Sequence, residues 1–180
     1  MNRYYYHFFE YKFLKAGLLA IGDDLILIDI TRSRDSFKKY VLKEHSYCRE
    51  DKVPFALVTR ELSEYLNGER TFFTTSYSIT GSPFQLKVWK QTARIPMGSV
   101  KTYKDIAMEI GHAGAVRAVG SAVGRNSIPI IIPCHRVIKT GGNIGEFGGG
   151  RELKVRLLTH EGIEIRNNKI DLKVHYKSRD

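Results

Sequence analysis

The spacing of apolar positions changes character along the chain. Residues 4–9 are rich in aromatics, which suit a pleated surface, and read as a strand. Two apolar runs, 18–21 and 25–30, are joined by Gly22-Asp23-Asp24. Gly and Asp tolerate the positive φ of a tight turn, so the pair predicts a β-hairpin. Over 36–45 the period lengthens, with Phe37, Tyr40, Val41 and Leu42 near one face, and a helix is expected. A second helix begins after Pro54. Its stripe is Phe55, Leu57, Val58, Leu62, Tyr65 and Leu66, and Asn67-Gly68 stops it.

Residues 69–80 lose the helical period, and Gly81-Ser82-Pro83 punctuates the next segment. The division expected is 1–76 and 77–180. A helix follows over 83–93, with Phe84, Val88 and Trp89 facing inward, and Ile95-Pro96-Met97-Gly98 ends it. Thr102 caps a helix over 103–110, which Gly111 stops. The next helix, 113–124, is built almost entirely of small residues. A last helix, 152–160, carries Leu153, Leu157 and Leu158 on one side. No repeat is visible. The fold class expected is α/β (α+β): a small N-terminal α/β domain, a sheet with flanking helices, then a mostly helical C-terminal domain with a helix-turn-helix, winged-helix-like outline.

Composition narrows the partners. The 180 residues include 29 Lys and Arg against 19 Asp and Glu, a formal charge of +10. That balance fits an anionic partner, nucleic acid foremost, and equally fits a solvated basic surface. The N-terminal residues lack the apolar run and cleavage site of a secretory signal, and no apolar stretch approaches bilayer length. A soluble, cytoplasmic protein is expected. Two cysteines, Cys48 and Cys134, exclude a disulfide framework and a multi-cysteine zinc site.

Three segments carry candidate chemistry. In the small-residue helix, Arg117 and Arg125 are the only large polar groups, which suits either close approach to DNA or tight packing in a core. A β-branched run then leads into Pro133-Cys134-His135-Arg136. Reactive thiols need an electropositive, partly exposed setting, and two potentially positive neighbours supply part of it. These residues alone leave a reactive and a structural cysteine both open. Finally, six glycines lie in 141–150, where backbone can approach a ligand closely. No Gly-Lys-Ser or Gly-Lys-Thr ends that run, which disfavours a phosphate loop. Glu161, at the end of the last helix, fits either the orienter of His135 in a nucleophile–base–orienter triad with Cys134 or a solvated carboxylate at a helix end.

Taken together, the chain from Ser82 to Ile163 resembles the O6-alkylguanine-DNA alkyltransferases, or methylated-DNA–protein-cysteine methyltransferases. The resemblance rests on Pro133-Cys134-His135-Arg136-Val137-Ile138, Thr102-Tyr103-Lys104-Asp105-Ile106-Ala107, Arg117-Ala118-Val119-Gly120, Asn126, the Gly-rich loop and Leu157-Leu158-Thr159-His160-Glu161-Gly162. It implies DNA repair by a single-turnover transfer of the alkyl group to Cys134. It further implies His135 as general base through a bridging water, Glu161 as its orienter, and Asn126 as the tie across the turn. Tyr103 would protonate the departing guanine and Arg117 would fill the gap in the base stack. Thr102, Tyr103, Ala115, Ser121 and Arg125 would join Arg117 against double-stranded DNA. Tyr103, Val123, Pro129, Gly145, Phe147, Gly148 and Gly149 would line the guanine pocket. Relatives often have Ser where Gly148 stands and Tyr where Phe147 stands, so those two hydroxyl contacts are lost here. The implied mode is base flipping with the small-residue helix in the minor groove, where Ala113, Ala115, Gly120 and Ala122 suit close approach. A monomer with no cofactor and no metal is implied. Some relatives hold a structural zinc in the N-terminal part, for which this chain lacks the cysteines. The competing readings are a non-enzymatic helix-turn-helix regulator or damage sensor, and a Cys-His-Glu hydrolase.

Overall fold

The computed structural model describes residues 3–175. They fall into two compact units that divide between Ile79 and Thr80.

The first unit opens with strand β1, Tyr4–Tyr11, which turns directly into β2, Leu14–Ile21, and then β3, Asp24–Asp29. The β2–β3 hairpin is the one expected, with Gly22 at φ +58° in its turn. The β1–β2 hairpin has no such signal in the sequence. Its turn is made by Lys12-Phe13, with Lys12 in the left-handed region at φ +50°. Helix α1, Arg34–Glu44, starts two residues earlier than the periodicity predicts, because Ser33 caps it. Strand β4, Arg49–Glu50, adds parallel to β1, and helix α2, Ala56–Asn67, ends at Gly68 with φ +80°. The sheet order is β3-β2-β1-β4.

Two details fix how this unit packs. A Cβ on Gly17 of β2 would lie 2.3 Å from the Phe37 ring of α1, so only glycine lets the helix seat on the sheet. Glu61 of α2 is fully buried. It accepts hydrogen bonds from the backbone N–H groups of Thr74 and Thr75 at 2.9 and 3.0 Å and pairs with Arg70 at 3.1 Å. A buried carboxylate thus anchors the aperiodic segment after α2.

In the second unit, helix α3, Pro83–Thr92, begins with a reciprocal capping box between Ser82 and Gln85. Strand β5, Lys101–Thr102, leads into helix α4, Tyr103–Glu109, capped the same way by Thr102 and Asp105. Helix α5, Val116–Gly124, starts three residues later than expected, because 111–115 form the turn, with Gly111 at φ +78°. The Trp89 indole of α3 donates to the Ala122 carbonyl of α5 at 2.8 Å. Val88 and Trp89 are buried as expected, whereas Phe84 is half-buried against the edge of His112. Strand β6, Val137–Ile138, pairs parallel to β5. Helix α6, Arg151–His160, follows the Gly-rich loop. A short hairpin, β7, Ile165–Arg166, and β8, Lys169–Ile170, turns through Asn167 and Asn168, both at positive φ. Helix α7, Leu172–His175, ends the described chain. Val100, Ile138, Ile144, Leu158, Ile163 and Ile170 form the core beneath the β5–β6 pair. Among the described residues, no helix is long and apolar enough to cross a membrane.

Candidate functional site

Cys134 opens a single 3-10 turn, Cys134–Arg136, immediately before β6. The chain reaches it through a tight reversal. The Ile132 N–H donates to the Ile128 carbonyl at 3.0 Å, and Ile130 takes φ +78°. A β-branched residue in that region is strained by about 1–3 kcal/mol and persists only where its surroundings hold it. Asn126, just after α5, supplies that hold. Its amide donates to the Ile132 carbonyl at 2.8 Å and to the Cys134 sulfur at 3.1 Å, while its carbonyl accepts from Ile128 N–H at 3.1 Å.

His135 and Arg136 both turn inward onto Glu161, the residue that ends α6. His135 Nε2 lies 2.8 Å from Glu161 Oε1, and neither side chain has any exposure to solvent. Arg136 grips the same carboxylate at two points, Nε to Oε2 at 2.8 Å and Nη2 to Oε1 at 2.7 Å. Its third arm donates to the Ile95 carbonyl at 2.6 Å. Burial alone would raise the Glu161 carboxyl. The hydrogen bonds and charge of His135 and Arg136 outweigh it and hold the group at about 2. An ionised carboxylate only accepts, so His135 Nε2 carries the proton and Nδ1 is the basic nitrogen. That Nδ1 is buried and has no hydrogen-bond partner among the described residues. Burial lowers the His135 pKa, Glu161 opposes the shift, and Arg136 and Lys154 reinforce it.

Lys154 is the residue that reading for function missed. It is fully buried on α6. Its ammonium donates to the Val137 carbonyl at 2.7 Å and to the Glu146 carbonyl at 3.4 Å, bridging β6 and the Gly-rich loop. Burial pulls its pKa down to about 8, with Cys134 and Glu146 resisting. The signal was present in the sequence: Lys154, Leu157, Leu158 and Glu161 fall at i, i+3, i+4 and i+7, so two charged groups share the apolar face. Burial likewise pushes the Cys134 thiol up. The Asn126 amide, the Lys154 charge and the backbone N–H groups of Cys134 and His135 act in the opposite direction. Arg136, expected as an electropositive neighbour of the thiol, instead directs its charge to Glu161.

Tyr103 opens α4. A Cβ on Gly120 of α5 would contact its ring at 3.9 Å, and one on Gly145 would lie 3.8 Å from its hydroxyl. Burial, and then the negative charges of Cys134 and Glu146, raise its pKa, so the phenol keeps its proton. Gly145 is buried at φ +68°. The half-buried Phe147 ring stands edge-on to His135 at 6.3 Å between centroids. Val123 and Pro129 are buried, Gly149 is half-buried, and Gly148 is exposed with open space where a Cβ would be.

The outer face of α5 is different in kind. Arg117, Ala118, Ser121 and Gly124 are exposed, followed by Arg125, while Val119, Ala122 and Val123 are buried. Ala115, at its N-cap, is half-buried. Thr102 is buried, and its hydroxyl is engaged with Asp105 inside the capping box. The contacts therefore join Asn126, Cys134, His135, Arg136, Glu161, Lys154 and Phe147 into one centre. Tyr103 lies between α5 and the loop, and Arg117, Ser121 and Arg125 form a separate surface.

Comparison with known proteins places this arrangement. The family model described as the 6-O-methylguanine DNA methyltransferase DNA-binding domain matches residues 83–163. The inducible methylated-DNA–protein-cysteine methyltransferase of Bacillus subtilis is 44% identical over 113 residues, a match that spans 62% of each chain. The methylated-DNA–protein-cysteine methyltransferase of Mycolicibacterium paratuberculosis is 43% identical over 155 residues, covering 84% of this chain and 92% of that one. Among solved structures, Mycobacterium tuberculosis OGT in complex with DNA aligns with a TM-score of 0.77 at 34% identity, over 87% of this chain and 92% of that one. The chain belongs to the methylated-DNA–protein-cysteine methyltransferase family.

Proposed function

We propose that this protein repairs O6-alkylguanine, chiefly O6-methylguanine, in duplex DNA by moving the alkyl group onto Cys134. The observation that carries the reading is the buried chain Asn126–Cys134 and His135–Glu161, with Tyr103 across the Gly-rich loop. His135 Nδ1 takes the thiol proton through a bridging water. The sulfur then attacks the alkyl carbon: a C–S bond forms as the bond from carbon to guanine O6 breaks, and Tyr103 O–H protonates the departing base. The thioether is stable, and nothing in the reading removes it, so each molecule acts once.

Access requires the damaged nucleotide to leave the stack, at a cost of a few kcal/mol that weakened pairing reduces. The reading places α5, as the second helix of a helix-turn-helix, in the minor groove. Its small exposed face supports close approach, with Arg117 filling the vacated space and Ala115, Ser121, Arg125 and Thr102 near the backbone. Repair at any sequence needs no base-edge code, so phosphate contacts dominate and affinity falls steeply with salt. Val123, Pro129, Gly145, Phe147, Gly148 and Gly149 line the guanine pocket. Residues 77–180 carry binding and chemistry, 1–76 are structural, and the protein works as a monomer in the cytoplasm.

The test is intact mass after incubation with duplex containing O6-methylguanine. The expected result is a gain of one methyl group per chain, absent in Cys134→Ala. Methyl removal by Cys134→Ala would overturn the reading. Tight binding without mass gain would identify a damage sensor, and repeated product release a hydrolase.

A further inference from the structure

The sequence sets Arg136 beside the reactive cysteine and its base, yet among the described residues its guanidinium hydrogen-bonds to neither. It is buried, with each of its three nitrogens engaged: two on the Glu161 carboxylate and one on the Ile95 carbonyl. Glu161 Oε1 therefore receives two donors, His135 Nε2 at 2.8 Å and Arg136 Nη2 at 2.7 Å. A planar fork matched to a carboxylate fixes its orientation as well as its charge.

We propose that Arg136 is a positioning residue for the alkyl-transfer reaction: its two-point grip keeps Glu161 an acceptor, which leaves the proton on His135 Nε2 and the lone pair on Nδ1. This rests on the alkyl-transfer reading for its role, but the tautomer follows from the geometry alone. Were Glu161 free of Arg136, its full charge would act on an imidazole that has no exposure to bulk solvent. The Glu161–His135 pair would then take up a further proton, and His135 would cease to be a base. Among the described residues, Arg136 on the same turn and Lys154 from α6 bear on that pair, and the Phe147 ring stands edge-on to His135. Arg136 and Lys154 both oppose protonation of His135, and only Arg136 is bonded to its orienting carboxylate.

The experiment uses the full chain. Nitrogen-15 NMR of the imidazole in the unmodified protein should show His135 as the Nε2–H tautomer. An Nδ1–H tautomer would overturn the proposal without any variant. Single-turnover methyl transfer is then followed against pH for the unmodified protein, Arg136→Lys and Arg136→Met. The acid limb of the rate profile should move to higher pH by on the order of one unit in Arg136→Met, and by less in Arg136→Lys. An acid limb that stays in place, with only thermal stability reduced, would make Arg136 purely structural. Should the unmodified protein fail to accept a methyl group, the alkyl-transfer reading fails, while the tautomer measurement still decides the Arg136–Glu161–His135 relationship.

Discussion

Asn126 reaches the Cys134 sulfur at 3.1 Å with the same nitrogen that holds the Ile132 carbonyl at 2.8 Å. One amide thus braces the strained turn and points a donor at the nucleophile. The thiol is raised by burial, so each donor near it governs how much thiolate exists at neutral pH.

Asn126→Asp takes away both donations, the one to the Ile132 carbonyl and the one to the Cys134 sulfur. The carboxylate still accepts from Ile128 N–H but offers no donor to the sulfur and adds a like charge beside the thiolate. We expect the rate of Cys134 alkylation by iodoacetamide at neutral pH to fall roughly tenfold, the equivalent of one pKa unit. An unchanged rate would mean that the amide does not stabilise the thiolate.

Arg117 is exposed on α5 and makes no hydrogen bond or ion pair among the described residues. Arg117→Ala should therefore leave stability within about 0.5 kcal/mol. It should slow repair of duplex far more than reaction with free O6-methylguanine. Equal losses on the two substrates would count against a role in filling the base stack.

Tyr103→Phe removes a hydroxyl but keeps the ring between Gly120 and Gly145. Methyl transfer should slow while duplex affinity, measured by fluorescence anisotropy, stays within about twofold. A large affinity loss would reassign the hydroxyl to DNA binding.

How far the sequence carried the fold depends on which signals were local. The hairpin at Gly22, the stop at Gly68 and the cap at Thr102 are written in residues whose backbone preferences are strong, and all three stand. The β1–β2 turn is invisible because Lys12 adopts positive φ without being Gly or Asn. Cap residues also move helix ends: Ser33 extends α1 toward the N-terminus, and the 111–115 turn delays α5. At the site, the proximity of His135 and Glu161 followed only from the family resemblance, since 26 residues separate them. The Arg136 grip was not legible. Adjacent residues on a 3-10 turn point differently from those on a strand, and direction decided which anion Arg136 meets.

Lys154 offers a stability test. Its folded pKa is depressed, from 10.5 to about 8, so the unfolded chain binds that proton more tightly. Stability from this group therefore increases as pH rises from about 8 to 10.5, by about 3 kcal/mol at most. Lys154→Met removes the titration. Urea unfolding of both proteins at several pH values should show the unmodified chain gaining on the variant through that window. A constant difference would mean that the ammonium is better compensated by the Val137 and Glu146 carbonyls than its burial implies.

Glu161 works in the opposite sense and in acid. Its folded pKa is held at about 2 against an ordinary 4.5, so its contribution is complete above 4.5 and disappears as pH falls through 4.5 toward 2. Two and a half units correspond to about 3 kcal/mol at neutral pH. Trp89 is the only tryptophan and lies in the second unit, so its fluorescence reports the unit that contains Glu161. The other carboxyls with lowered pKa values, Asp29 and Glu61, are in the first unit. Glu161→Gln should be less stable at neutral pH, because it leaves Arg136 buried without its anion, a loss of about 3–5 kcal/mol. As the medium is acidified, the unmodified protein should lose stability faster, and the two curves should converge below about pH 3. Parallel curves would show that the carboxylate is not ionised in the folded protein, and the assignment of Nδ1 as the basic nitrogen would fail with it.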